Sequence, residues 1–181
     1  MSFESGTYAL GPENATLTVR TGRRGAIARA GHDLRIEVES WRATVSLDAD
    51  PAAAVLELAA DSSSLRVREG SDGMQSLDAE DRAGIDQTIN DEVLNGTAIV
   101  FRSHEVSRAD NGGLFVTGAL ELAGASHPIS FDLRVGDDGE VSGSAVVKQT
   151  EWGMKPYATL FGTLKVADEV HVSIEGRLAP A

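Results

Sequence analysis

Apolar residues occupy every second position over many short stretches of this chain. In the stretch 129–135, for example, large apolar residues alternate with Ser130, Asp132 and Arg134. A period of two gives a strand one apolar and one polar face, which is typical of antiparallel sheets that cover a core on one side. The alternation and the turn residues between stretches predict strands near residues 7–10, 15–22, 33–40, 42–50, 54–60, 64–68, 97–107, 114–123, 127–135, 140–149 and 169–178.

So many half-apolar strands need a shared interior. Closing the sheet on itself removes its unpaired edges, so we expect an all-β fold, a closed antiparallel β-barrel formed by a single domain over residues 1–181. Residues 33–50 form either one long bent strand or two strands. A small closed barrel is either filled by side chains or holds one small ligand, and the alternation does not decide between the two.

Residues 78–94 depart from the alternation and predict one α-helix. Ile85, Ile89 and Val93 recur every fourth residue, which places them on one side of a helix. The polar residues at positions 76 and 78 can each cap its first turn. We expect this helix to lie across a mouth of the barrel or on the sheet.

Composition limits the classes of partner. The net charge is −12, from 28 acidic and 16 basic residues, and such a chain repels nucleic acid and anionic membranes. No apolar run approaches the ~20 residues of a membrane span, and the N-terminal residues lack the basic and apolar regions of a signal peptide. We therefore expect a cytoplasmic protein that does not bind nucleic acid or insert into membranes.

Residues that could carry out catalysis are sparse. His32 precedes Asp33 at the start of a strand, where it is either a general base oriented by the carboxylate or a turn histidine that caps a backbone group, and we favour the turn histidine. No two histidines have the spacing of a zinc site, there is no cysteine, and no nucleophile elbow is present. We expect no enzymatic activity, no metal and no cofactor.

Residues 151–166 concentrate aromatic and other apolar residues without alternation, in a chain where aromatic residues are few. One interpretation is a rim or lid of an apolar pocket, with Trp152, Tyr157 and Phe161 shaping the entrance and Lys155 offering a polar contact. The other interpretation is a hydrophobic cluster that plugs one end of the barrel. The sequence leaves both open.

Several segments keep a fixed order over nearly the whole chain, among them Ala30-Gly31-His32-Asp33-Leu34 and Trp152-Gly153-Met154-Lys155-Pro156-Tyr157. The others lie at 6–12, 64–67, 69–70, 81–82, 99–103, 116–124, 127–129 and 164–170. Taken together, they resemble the YceI-like family of polyisoprenoid-binding proteins. The resemblance implies an elongated, lipocalin-like antiparallel barrel with a helix at one end. It also implies an interior for a long isoprenoid or similar amphiphilic chain, and no catalytic residues.

The leading hypothesis is a non-enzymatic protein that transports or sequesters an apolar, isoprenoid-like lipid inside the barrel. The alternative is a solid-cored structural or stress-associated module without a lipid ligand, whose outer surface binds a partner or a second copy, so that a homodimer is left open. The expected ligand-binding residues are the entrance residues Trp152, Tyr157 and Phe161 and the inward-facing residues of the strands, Val19, Ile36, Val38, Val45, Leu58, Phe101, Leu120, Phe131, Leu133, Val147 and Val172.

Overall fold

The computed structural model describes residues 5–25, 31–71, 73, 76–159 and 164–181. Within these ranges the alternating stretches form antiparallel strands of one sheet, and most predicted strands lie within a few residues of their expected bounds. The strands are β1 (Gly6–Leu10), β2 (Ala15–Arg24), β3 (Asp33–Val38), β4 (Trp41–Leu47), β5 (Val55–Ala60), β6 (Leu65–Ser71), β7 (Ile99–Arg108), β8 (Leu114–Leu122), β9 (Ala125–Val135), β10 (Glu140–Lys148), β11 (Ala158–Thr159), β12 (Leu164–Arg177) and β13 (Ala179–Pro180).

The strands follow the order β13-β1-β4-β5-β7-β8-β9-β10-β12-β2-β3-β6, and β11 pairs with β12. Strands β7 to β10 are consecutive neighbours, so this part of the sheet is an antiparallel meander. Among the described strands, none pairs β13 with β6, the two ends of this order. The sheet is therefore a curled half-barrel, and the predicted closed barrel is not confirmed.

The backbone ladder is interrupted where a long hairpin bends. One arm of this hairpin contains β3 and β4, and the other contains β5 and β6. Strands β3 and β4 are separated only by residues 39–40, so residues 33–50 contain two strands rather than one. Strand β3 pairs with β2 and β6, whereas β4 pairs with β1 and β5. At the bend the amide of Glu39 donates to the Ser64 carbonyl at 3.0 Å, and the amide of Asp61 donates to the Ser40 carbonyl at 2.9 Å. The regular ladder is thus broken at this corner, although the two halves of the hairpin remain in contact.

The predicted helix is present as α1 (Ala79–Thr88), followed by one wider, π-type turn over Ile89–Val93. The helix begins with a capping box, in which the Asp78 carboxylate accepts from the amide of Asp81 at 2.8 Å and the Asp81 carboxylate accepts from the amide of Asp78 at 3.1 Å. These reciprocal bonds satisfy backbone donors that the first turn leaves unpaired.

Helix α1 also protects an open edge of the sheet. Strand β6 ends the strand order and pairs only with β3 among the described strands. The Asp86 carboxylate on α1 accepts from the amide of Val67 in β6 at 2.7 Å. A helix that covers an edge strand blocks pairing with another chain, which is one way in which proteins avoid aggregation.

Residues 151–166 are only partly a shaped loop. Residues Gln149–Trp152 form a short helical turn, but Ala158 and Thr159 pair with the start of β12. The expectation that the last long strand begins near residue 169 is wrong, because β12 begins at Leu164. An irregularity in its pairing with β2 between Val166 and Val170 breaks the alternation, and this break hid the first part of the strand.

Candidate functional site

The curled sheet and helix α1 surround a cavity of about 840 Å³, with an overwhelmingly apolar wall and an opening on one side. This volume lies within the ~300–1,000 Å³ typical of small-molecule pockets. Strands β1 to β10, β12 and helix α1 all contribute to the wall. Each strand contributes chiefly the apolar side chains of its inward face, so the sequence alternation generates the wall directly.

The structure brings nearly all predicted ligand-binding residues together in this wall. Tyr157 lies at the opening and is 42% exposed. That these residues bind a ligand remains a prediction. The inward residues of the strands that line the cavity are Val19, Ile36, Val38, Val45, Leu58, Phe101, Leu120, Phe131, Leu133, Val147 and Val172.

Two predicted entrance residues differ from this pattern. Trp152 does not line the cavity; it is buried, and its indole Nε1 donates to the Leu120 carbonyl at 2.8 Å. The His127 ring meets it edge-on, with 5.6 Å between ring centroids. Trp152 thus fastens the turn at 149–152 to the sheet, as the cluster interpretation of this segment predicts for such a residue. The prediction for Phe161 lies outside the described residues.

At one end of the cavity the lining includes Phe101, Phe131 and Leu133, which we call the floor. Beyond the floor the interior is filled by side chains with exposed fractions of 0–4%, and none of these lines the cavity. We call this region the packed end; it consists of Val106, Leu114, Val116, Val135 and Val141. One part of the interior is therefore solid and the other is vacant, a division that alternation cannot predict.

The two aromatic rings of the floor are fixed by their surroundings. Their centroids lie 5.3 Å apart with an interplanar angle of 58°, a favourable tilted contact. The ring of Phe101 rests on Gly118, where a Cβ atom would lie 2.5 Å from Phe101 Cζ. Only glycine leaves room for the ring at this position. Sequence reasoning missed Gly118, and its place on the inward side of an alternating strand is the signal that could have identified it.

The opposite end of the cavity is its mouth, which we define by Arg23, His32, Asp78, Tyr157 and Lys165. These residues lie near the ends of β2 and β6 and the starts of β3, β12 and α1. Polar and charged side chains are thus concentrated at the opening, whereas the floor is apolar. This polarity suits an amphiphilic molecule whose apolar part lies inside.

Arg23 competes with His32 for the carboxylate of Asp33. Both carboxylate oxygens of Asp33 accept from Arg23, from Nε at 2.9 Å and from Nη2 at 3.5 Å. Arg23 also donates from Nη1 to the Gly31 carbonyl at 2.9 Å. The carboxylate is therefore used to fix the backbone at the mouth, which favours the turn-residue interpretation of His32.

The helical turn at 149–152 is tied to the irregular part of β12 beside the mouth. Thr150 donates to Asp168 twice, from its hydroxyl at 2.7 Å and from its amide at 2.9 Å, and Gln149 Nε2 donates to the Ala167 carbonyl at 3.0 Å. The hydroxyl bond first, and then the amide bond, favour the charged carboxylate and hold the pKa of Asp168 below its ordinary value.

One side of the mouth is closed by helix α1 and the turn after it. Ile85, Ile89 and Val93, the predicted apolar stripe, all line the cavity. Within the described ranges, no helix has the length and apolar character needed to span a membrane. In the same part of the chain, no three or more His, Asp or Glu side chains are grouped so that they could hold a metal ion.

A curled antiparallel sheet around an apolar cavity defines a β-protein with an internal apolar pocket. The sequence model of the YceI-like domain matches residues 8–178, and the chain therefore belongs to the YceI-like family. The resemblance stated from the sequence motifs is confirmed.

Solved structures show the same fold. BcnA of Burkholderia cenocepacia superposes with a TM-score of 0.64 at 16% identity, over 91% of this chain and 96% of that chain. The YceI protein of Campylobacter jejuni gives a TM-score of 0.56 at 17% identity, over 81% of this chain and 84% of that chain. A mutant of the latter carrying a monobromobimane guest gives the same values. None of the curated proteins compared with the chain matches it.

Proposed function

We propose that this protein is a non-enzymatic carrier or sequestering protein that holds one apolar, isoprenoid-like molecule in its cavity. The observation that carries the proposal is the vacant apolar space of about 840 Å³ above the floor. Each methylene group that a ligand removes from water there contributes about 0.8 kcal/mol. A chain of several isoprene units can therefore bind tightly with few hydrogen bonds, and the family resemblance of the sequence motifs supports the same class of ligand.

The solid-cored alternative has less support. Protein interiors are close-packed and rarely contain voids much larger than a water molecule. The packed end meets this standard, with Val116 fully buried and Leu114 at 1% exposure. The space between floor and mouth does not meet it. This space remains vacant even though large side chains such as Phe101, Phe131 and Leu58 line it. We interpret the vacancy as a binding site.

The proposal includes closure of the wall around the ligand. Strand β3 pairs with β2, and β4, which follows two residues later, pairs with β5. The backbone at residues 39–40 therefore joins β3 on one side of the curled sheet to β4 on the other side. Helix α1 covers the remaining edge at β6 through the Asp86 bond to Val67.

A binding assay with farnesol tests the function. Ala145 lines the cavity, whereas its neighbour Val146 points outward and is 51% exposed. A phenylalanine at position 145 fills the space that the ligand needs, so A145F is expected to weaken farnesol binding at least tenfold. V146F adds the same side chain outside and is expected to leave the affinity unchanged.

Native mass spectrometry of the freshly purified wild-type protein provides a second measurement. We expect farnesol, added in excess, to give a one-to-one complex. Failure of farnesol and longer prenyl alcohols to bind the wild type, or equal binding by A145F and wild type, would contradict the proposal.

A further inference from the structure

We infer that Phe101 and Phe131 limit the length of the apolar chain that the cavity accepts, so that the inner end of the ligand stops on these two rings. This inference rests on the proposed function and adds a specificity rule to it. The ligand is then a single chain that enters with its apolar end first and leaves its polar end at the mouth.

The cavity ends abruptly beside the rings. Along β9, Phe131 and Leu133 line the cavity, but Val135, the next inward residue, does not and is 4% exposed. The same change occurs along β10, where Gly143 lines the cavity and Val141, two residues further, lies in the packed end at 3% exposure. A ligand that reaches the rings and Leu133 therefore meets close-packed side chains beyond them.

The cavity has a limited depth. Gly143 at the floor, Ala145 and Val147 in β10 and Gln149 directly after it line the cavity towards the mouth. Six residue steps of ~3.3 Å along a strand tilted by ~40° give a depth of roughly 15 Å. A chain longer than this must leave its excess carbons at the mouth, where they remain in contact with water and contribute little to binding.

The floor is also rigid. The Phe101 ring is supported by Gly118 beneath it and by the Phe131 ring beside it, and its strand neighbours Leu58 and Leu120 flank it in register. A ring held on several sides cannot turn aside for a longer chain. The mouth is different, because Tyr157, which lines it, is 42% exposed.

The test is a series of prenyl alcohols of increasing length, geraniol, farnesol, geranylgeraniol and longer homologues, measured by displacement of a fluorescent apolar dye. For the wild type we expect the affinity to rise about fourfold per buried methylene until the inner end reaches the rings, and then to level off. F131A vacates the space of the ring beside Val116 at the inner end of the cavity, so its affinities are expected to level off at a longer homologue.

V170A is the matched control. Val170 lines the cavity on the mouth side of the floor, where it pairs with Val147. Removing its methyl groups widens the wall without deepening the cavity, and the length at which the affinity levels off is expected to stay that of the wild type. F131L, which removes less volume, is the second floor variant should F131A fold poorly, and it is expected to shift the limit in the same direction.

The outcomes separate the two proposals. If prenyl alcohols bind the wild type but the limit is the same in F131L, F131A and wild type, the length rule is overturned and the proposed function stands. A limit that moves equally in V170A also overturns the rule. If no prenyl alcohol binds the wild type, the proposed function fails and the length rule fails with it.

Discussion

Gly118 shows how one residue without a side chain shapes the cavity. It lies on the inward face of β8, and the Phe101 ring occupies the space that any larger residue would need. The Arg102 carbonyl also approaches the same position. The floor of the cavity therefore depends on the absence of a side chain at position 118.

Replacing Gly118 with alanine should destabilise the protein. The added methyl group must displace the Phe101 ring and press on the Arg102 backbone, and overpacking of this kind typically costs about 1–3 kcal/mol. Urea denaturation of G118A measures the change in the free energy of unfolding. A variant as stable as the wild type would show that the floor yields easily and would weaken the case for a rigid stop.

Asp168 should make the turn at 149–152 sensitive to acid. Because the bonds from Thr150 lower the pKa of Asp168 in the folded state, its contribution to stability is present above the ordinary value of 3.8 and is lost as the pH falls through the lower folded value. We expect D168N to be less stable than the wild type at neutral pH. The difference in denaturation midpoint should shrink as the pH falls below 3.8. A difference that does not change with pH would contradict this account.

Helix α1 is not joined to the sheet by a ladder of backbone hydrogen bonds. It has no buried residue, and its described ties to the sheet run through side chains such as Asp86. Its stability therefore depends largely on interactions within the helix, above all the capping box of Asp78 and Asp81.

Two substitutions in α1 should change stability in opposite directions. D78A removes the bond that the Asp78 carboxylate accepts from the Asp81 amide and is expected to cost about 1 kcal/mol. Gly84 is exposed in the helix, and a Cβ there meets nothing within 4 Å, so G84A is expected to stabilise the protein by about 0.5–1 kcal/mol. Thermal unfolding followed by circular dichroism measures both. Equal effects of the two variants would show that the helix does not contribute to the measured transition.

The elements that could be predicted from sequence are those with a regular period. Strand β9 alternates throughout and was predicted within two residues, and the fourfold spacing of Ile85 and Ile89 predicted the helix. Strand β12 was shortened because its pairing shifts between Val166 and Val170, and a shift of register removes the pattern on which the prediction depends. The break at residues 39–40 was anticipated only in part, because the alternation over residues 33–50 was compatible with one bent strand or with two.

In the whole molecule, the interior enclosed by the curled sheet contains the packed end and the cavity. Alternation identified which residues face inward, so the wall residues were predicted well. It could not say which of them touch one another and which leave space, because Val116 and Leu120 follow the same pattern on one strand. The difference arises from the rings of Phe101 and Phe131, which meet across strands.

A ligand that fills the vacant part should stabilise the fold. Binding to the folded state alone adds about 2.7 kcal/mol to the free energy of unfolding at a ligand concentration one hundred times Kd. We expect farnesol to raise the urea midpoint of the wild type progressively with concentration and to have little effect on A145F. A midpoint of the wild type that does not change with farnesol would argue against binding in the interior.

If the protein carries a ligand as proposed, the packed end also determines how that ligand is exchanged. Because close-packed residues such as Leu114 and Val116 lie beyond Phe101 and Phe131, the ligand has no second exit at that end. Loading and unloading of such a ligand would use the same opening, and its polar end would be the part that an acceptor meets first. The rate of transfer would then depend on how closely the acceptor approaches Tyr157 and Lys165.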